Sequence, residues 1–202
     1  YSHIAYADKN YQTALEGFQT ISCESMFKSI APYYITQIYY KQEKYKKVIE
    51  YAPVYMDSVS SKRKSEFAKL IGDSYYYEKK YSDAIPYLME FRKGVKATRV
   101  DNYQIGFAYF GTKDYENAVQ YLGRASTKKD ALSQTAYYHM AESYLKLEKK
   151  DYASNAFRAA SKMEFDSEIT ENSLFNYAKL AYELSYNPYD EAIEAFHEYI
   201  ER

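Results

Sequence analysis

A tyrosine followed three residues later by a small residue recurs along the chain with nearly constant spacing. It stands at Tyr11 and Ala14, Tyr45 and Val48, Tyr81 and Ala84, Tyr115 and Ala118, and Tyr189 and Ala192, with Lys150 and Ala153 as a variant copy. The steps between the small residues are 34, 36, 34, 35 and 39. A period of this size means helical hairpins stacked one on the next, each too small to bury its apolar face alone.

A second small residue lies twelve before the first in five copies, at Ser2, Thr36, Gly72, Gly106 and Ala141, with Ala178 as its equivalent in the last. Such residues mark places where two helix backbones approach closely, and Gly72 is expected to face Ala84. An aromatic follows three residues after the small residue at Tyr39, Tyr75, Tyr109 and Tyr144; these four rings are expected in the core. The i, i+3, i+4 spacing of Ala84, Leu88 and Phe91 gives one helix an apolar stripe, with Lys and Glu on the opposite face.

The pattern predicts first helices at about 30–42, 65–78, 99–111, 133–147 and 171–185, and second helices at about 10–24, 46–58, 82–94, 116–127, 151–164 and 189–201. Residues 1–8 read as the end of a first helix whose start lies upstream. Serines in "SDA" and "SKRKSEF" are expected to cap helices. Pro53 is expected to kink its helix and Pro86, near a helix start, to do less harm; "ELSYNPYDEA" reads as an extended turn.

The copies "IGDSYYYEKKYSDAIPYL" and "IGFAYFGTKDYENAVQYL" resemble the tetratricopeptide repeat (TPR) family, and the other copies follow in phase. The resemblance implies an all-α fold, a right-handed solenoid of helix-turn-helix hairpins. It divides residues 1–202 into a single array of about six repeats, 1–28, 29–62, 63–97, 98–131, 132–168 and 169–202, the first incomplete. One departure is consistent: the family's boundary proline is replaced at Ser60, Lys96, Asp130 and Phe165. The final copy, from Leu174 to Arg202, is similar to repeats of bacterial envelope TPR proteins, which suggests a segment of a longer periplasmic or envelope-associated chain.

The family's first helices line a groove that holds a peptide or protein segment. Carrying those positions over gives Tyr33, Gln37 and Tyr40; Lys69, Asp73 and Tyr76, with Tyr77 on the rim; Tyr103, Phe107 and Phe110; Tyr138, Glu142 and Leu145; and Phe175, Lys179 and Tyr182, with Tyr6 ahead of them. The aromatic members, Tyr33, Tyr40, Tyr76, Tyr77, Tyr103, Phe107, Phe110, Tyr138, Phe175 and Tyr182, are the candidate contacts. The competing reading is that the chain's own packing fills the strip and the array is a spacer or assembly segment. The family's clamp for a C-terminal carboxylate needs basic and amide side chains where this chain has Asp73, Phe107 and Glu142, so that ligand is not expected.

Composition narrows the function. The 27 basic and 28 acidic residues give a net charge of −1, against the basic footprint a nucleic-acid binder needs. No apolar run of membrane-spanning length occurs. A single cysteine, Cys23, excludes an internal disulfide framework, and His3, His139 and His197 fall in separate repeats, where each is expected at a surface or boundary. "GFAYFG" at 106–111 lacks the Lys-Ser/Thr ending of a phosphate loop. Lys62, Arg63 and Lys64 read as a solvent-facing cluster in an inter-repeat loop. No catalytic constellation appears, and the expectation is a non-enzymatic scaffold without cofactor whose partner is a protein or peptide.

Overall fold

The computed structural model describes residues 1–22, 24, 26–184 and 191–201, so Cys23, Tyr189 and most of the "ELSYNPYDEA" turn lie outside the described residues. Among the described residues the structure is all-α: α1 (Ser2–Ala7), α2 (Tyr11–Ile21), α3 (Ala31–Lys41), α4 (Tyr45–Tyr51), α5 (Ser61–Tyr77), α6 (Tyr81–Gly94), α7 (Arg99–Gly111), α8 (Tyr115–Ala125), α9 (Ala131–Lys146), α10 (Lys150–Ser161), α11 (Ser167–Leu184) and α12 (Glu191–Glu201). They form two compact units, Tyr1–Lys96 and Ala97–Arg202. Within each, consecutive helices pack as antiparallel hairpins and hairpins stack on their neighbours, the architecture of an all-α solenoid.

Five hairpins close through the same three-residue turn. Its central residue is left-handed at Lys9, Glu43, Lys79, Lys113 and Glu148, with φ between 55° and 65°. The first helix ends in a Schellman arrangement: Lys79 N–H donates to the Tyr76 carbonyl and Lys80 N–H to that of Tyr75, with equivalent pairs at the other four turns. No glycine occupies the left-handed position, so each turn carries a steric cost of about 1 kcal/mol.

The recurrent small residues sit where the helices touch. Ala14, Val48, Ala84, Ala118 and Ala153 are fully buried. Gly72 lies against Leu88 rather than Ala84: a Cβ there would stand 3.0 Å from the Leu88 backbone nitrogen, and one at Gly106 would stand 2.8 Å from that of Leu122. The closest approach of the two helices thus falls one turn further along the second helix than the sequence suggested. Phe18, Phe67 and Phe157 fill the spaces between hairpins, each contributing about 1.5–3 kcal/mol by burial.

Tyr39, Tyr75, Tyr109 and Tyr144 are half-buried and pack against the buried core, as expected, without being fully enclosed. Each meets a tyrosine of the second helix: Tyr75 stacks on Tyr87 and Tyr109 on Tyr121, Tyr144 lies tilted against Tyr152, and Tyr39 meets Tyr51 edge-on, with centroids 5.3–6.1 Å apart. This arrangement keeps one edge of each amphipathic ring close to water.

Pro53 ends α4 instead of kinking it; the helix stops at Tyr51 and a 3-10 turn, Pro53–Tyr55, follows. Pro86 sits inside a continuous α6. The expected serine caps are not made: Lys80 precedes α6, and Ser60 caps α5 without a side-chain bond. Side-chain caps come instead from Asn10, Thr98, Asp114 and Asp130.

Two side-chain clamps in the second unit hold repeat boundaries that lack the family's proline. Arg99 donates to the Ala125 carbonyl at 2.8 Å and grips Asp130 through both terminal nitrogens, at 2.6 and 2.9 Å, while Asp130 caps α9 by accepting from the Ser133 amide. The Arg99 guanidinium and the Ser133 amide hold the Asp130 carboxyl well below the usual aspartate range. Gln134 is fully buried; its amide nitrogen faces the carbonyls of Met163 and Asp166 and the Thr170 hydroxyl, and its Oε1 accepts from the Asp166 amide at 2.8 Å.

Candidate functional site

In the first unit, the first helices α1, α3 and α5 exchange side-chain bonds at intervals close to the repeat. Tyr6 donates to Gln37 Oε1 at 2.7 Å, Gln37 Nε2 donates to the Tyr33 hydroxyl at 2.7 Å, and Tyr33 donates to Glu66 Oε2 at 2.5 Å. The relay runs in one direction and ends on a carboxylate. One turn further along, Tyr40 donates to Asp73 Oδ2 at 3.2 Å, and Lys69 Nζ stands 3.2 Å from the same oxygen.

These residues line a pocket of about 320 Å³ walled by Tyr33, Gln37, Tyr40, Glu66, Lys69, Leu70, Asp73 and Phe91. Burial, followed by the Glu66 hydrogen bond, raises the Tyr33 pKa above the usual phenol range; burial and then the Asp73 charge do the same for Tyr40. Both phenols donate to carboxylates, Tyr33 to Glu66 and Tyr40 to Asp73. Asp73 is only 3% exposed, and Tyr40 and Lys69 satisfy it. Cations lie over several nearby rings: Lys69 Nζ is 4.9 Å from the Phe91 centroid, Lys41 is 5.3 Å from that of Tyr6, and the Arg63 guanidinium is 4.9 Å from that of Tyr33.

The structure redistributes the candidate contacts. Tyr33 is buried at 6% exposure, so its ring serves mainly as packing while the residue borders the pocket. Tyr40 stands in the same pocket. Tyr77 is exposed and stacks on Tyr45 at 4.7 Å, while Tyr76 is half-buried between Tyr77 and Tyr81. These rings form a rim beside the turn. Arg63, expected in a loop, lies in the first turn of α5 and donates to the Tyr34 hydroxyl at 3.3 Å.

In the second unit, Tyr103, Phe107, Phe110 and Tyr138 surround His139, with ring centroids 6.5, 4.9, 5.1 and 5.5 Å away. His139 Nδ1 lies 2.9 Å from Glu142 Oε2. His139 is thus the centre of an aromatic cluster and is semi-buried, consistent with the boundary alternative of the expected surface or boundary position. His3 is exposed yet packs edge-on against Phe18 and Tyr34, and His197 is exposed. Phe175 and Tyr182 are exposed, and Phe175 lies 5.5 Å from Tyr199.

Sequence reasoning missed Glu66, Leu70 and Phe91 as pocket residues. Glu66, Lys69 and Asp73 share one helical face by their i, i+3, i+7 spacing, a signal that marks Glu66 beside two positions already chosen. Phe91, on the apolar stripe of α6 with Ala84 and Leu88, is buried and also lines the pocket.

Among the described residues no group of three or more His, Cys, Asp or Glu side chains could hold a metal, and no helix is long and apolar enough to cross a membrane. No family model matches the chain, and comparison with curated proteins finds no match. Solved structures do resemble it. YrrB, described as a TPR protein with an unusual peptide-binding site, superposes with a TM-score of 0.68 at 14% identity, covering 93% of each chain. MamA from AMB-1 gives 0.66 at 14% identity over 81% of this chain and 87% of its own. The C-terminal part of a TPR repeat-containing protein from Cytophaga hutchinsonii gives 0.65 at 16% identity over 100% of this chain and 77% of its own. Likeness at these identities establishes architecture, and the chain has the helical-hairpin fold of the tetratricopeptide-repeat proteins.

Proposed function

We propose that the chain is a non-catalytic interaction scaffold and that the first-helix face of its first unit holds a segment of a protein partner. The observation that carries this reading is the pocket between α3, α5 and α6. It combines aromatic walls with fixed hydrogen-bonding groups, the make-up of a recognition site, and at about 320 Å³ it is large enough for a side chain. The exposed Tyr77 and half-buried Tyr76 extend the contact surface at the rim. That a solved neighbour of this fold, YrrB, is described as having a peptide-binding site supports the same reading.

The test is selection of twelve-residue peptides from a displayed library on the intact chain, followed by anisotropy titration of the selected peptides. Gln37→Ala and Tyr40→Ala are expected to weaken binding at least tenfold, while Tyr152→Ala, at an exposed second-helix position, leaves it unchanged. Peptides insensitive to both pocket variants would overturn the assignment.

The second unit favours a different role for its strip. Tyr103, Phe107 and Phe110 are half-buried against His139, so much of their surface already serves internal packing. This supports a structural role there, as a spacer or assembly segment, and places the weight of recognition on the first unit.

A further inference from the structure

The hydrogen-bond directions in the first unit's pocket constrain what the pocket accepts. Tyr6, Tyr33 and Tyr40 have each committed their hydroxyl proton, along the relay to Glu66 or directly to Asp73. Lys69 is directed to the buried Asp73. The Tyr33 hydroxyl also accepts from Gln37 Nε2, so the acceptors left for a ligand are the Tyr40 hydroxyl oxygen and the second oxygen of Glu66.

Charge points the same way. The pocket lining holds two carboxylates, Glu66 and Asp73, against one ammonium, Lys69. Asp73 is buried beneath its partners, whereas Glu66 is exposed and meets a ligand first. The aromatic walls add a third element, since ring faces in this strip already attract the chain's own Lys41, Arg63 and Lys69. A planar guanidinium satisfies all three demands, because it donates in a fork to a carboxylate and stacks on an aromatic face.

We infer that the partner segment inserts an arginine side chain into this pocket, its guanidinium paired with Glu66 and packed against Tyr40. The inference rests on the peptide-binding reading above and specifies its ligand.

The probes are N-acetyl-arginine amide and N-acetyl-citrulline amide, which are nearly isosteric and differ in charge, titrated into the isotope-labelled intact chain and followed by amide chemical shifts. The arginine compound is expected to give saturable shifts in α3 and α5, with at least fivefold weaker response to the citrulline compound. Glu66→Gln keeps the shape of an exposed residue and is expected to remove that difference. Equal response to the two compounds, or an undiminished arginine preference in Glu66→Gln, would overturn the inference. Library peptides that need Gln37 and Tyr40 but contain no basic residue would overturn it while leaving the peptide-binding reading intact. Failure of every selected peptide to respond to the pocket variants would remove the reading beneath it.

Discussion

The two units use equivalent repeat positions for different chemistry. In the first, Gln37 and Tyr40 follow the small residue Thr36 by one and four places, and Asp73 and Tyr76 follow Gly72; hydroxyls, amide and carboxylates form a directed network around a pocket. In the second, Phe107 and Phe110 occupy the same places after Gly106, and the strip packs around His139. The same backbone thus carries a polar hydrogen-bonded face or an apolar packed one, according to a few side chains that the hairpin does not need. The units also differ at their repeat boundaries. The second holds them with buried or bidentate side-chain clamps, Gln134 and Arg99, whereas α4 of the first ends early at Pro53.

The largest effect expected from this difference is at Gln134. Gln134→Leu removes the acceptor of the Asp166 amide and the bonds of a buried side chain to the Met163 and Asp166 carbonyls, which keep Thr170 as a donor, and the expected cost is about 2–3 kcal/mol. Hydrogen exchange should accelerate in α10 and α11 and remain unchanged in α3 and α5; uniform loss of protection would show that the clamp does not act locally.

Gly72→Ala and Gly106→Ala test what the units share. Helix propensity alone would make either change stabilising by about 1 kcal/mol. The missing Cβ space against the Leu88 and Leu122 backbones reverses the sign, and a net loss of about 1–3 kcal/mol is expected at both sites in denaturant titrations. Stabilisation at either glycine would show that its close approach is not a constraint.

Acid should separate the units further. The Asp130 carboxyl has a lowered folded-state pKa, so the Arg99 clamp contributes its full stability above the ordinary aspartate value of 3.8 and loses it as pH falls below that value through the folded one. Arg99→Met should flatten the thermal stability of the second unit against pH in that acid window. An unchanged acid response would mean that other carboxylates dominate it.

The smallest effect concerns the turns. Lys79→Gly and Lys113→Gly relieve a left-handed residue at φ of 58° and 65°, and each is expected to stabilise by roughly 0.5–1 kcal/mol in thermal melts. A loss at either position would show that the side chain contributes more than its strain costs.

The repeat made the helices legible because a 34–36-residue period and buried small residues are backbone requirements. The first-helix positions carried over from the resemblance included Gln37, Tyr40, Lys69 and Asp73, which do line one pocket. Other features were hidden because they depend on three-dimensional pairing. Glu66 acquires its place through a bond to Tyr33 on another helix, and His139 through rings from α7. The boundary clamps replace proline with long-range bonds from Arg99 and Gln134 that no local motif announces. The turns escaped because lysine and glutamate occupy a conformation usually marked by glycine.

The most direct test of the account is hydrogen–deuterium exchange on the intact chain with and without a library-selected peptide. The account predicts added protection in α3 and α5, centred on Gln37, Tyr40 and Glu66, with α9 around His139 unchanged. Protection confined to α9 or to the second helices, with α3 and α5 unaffected, would contradict it.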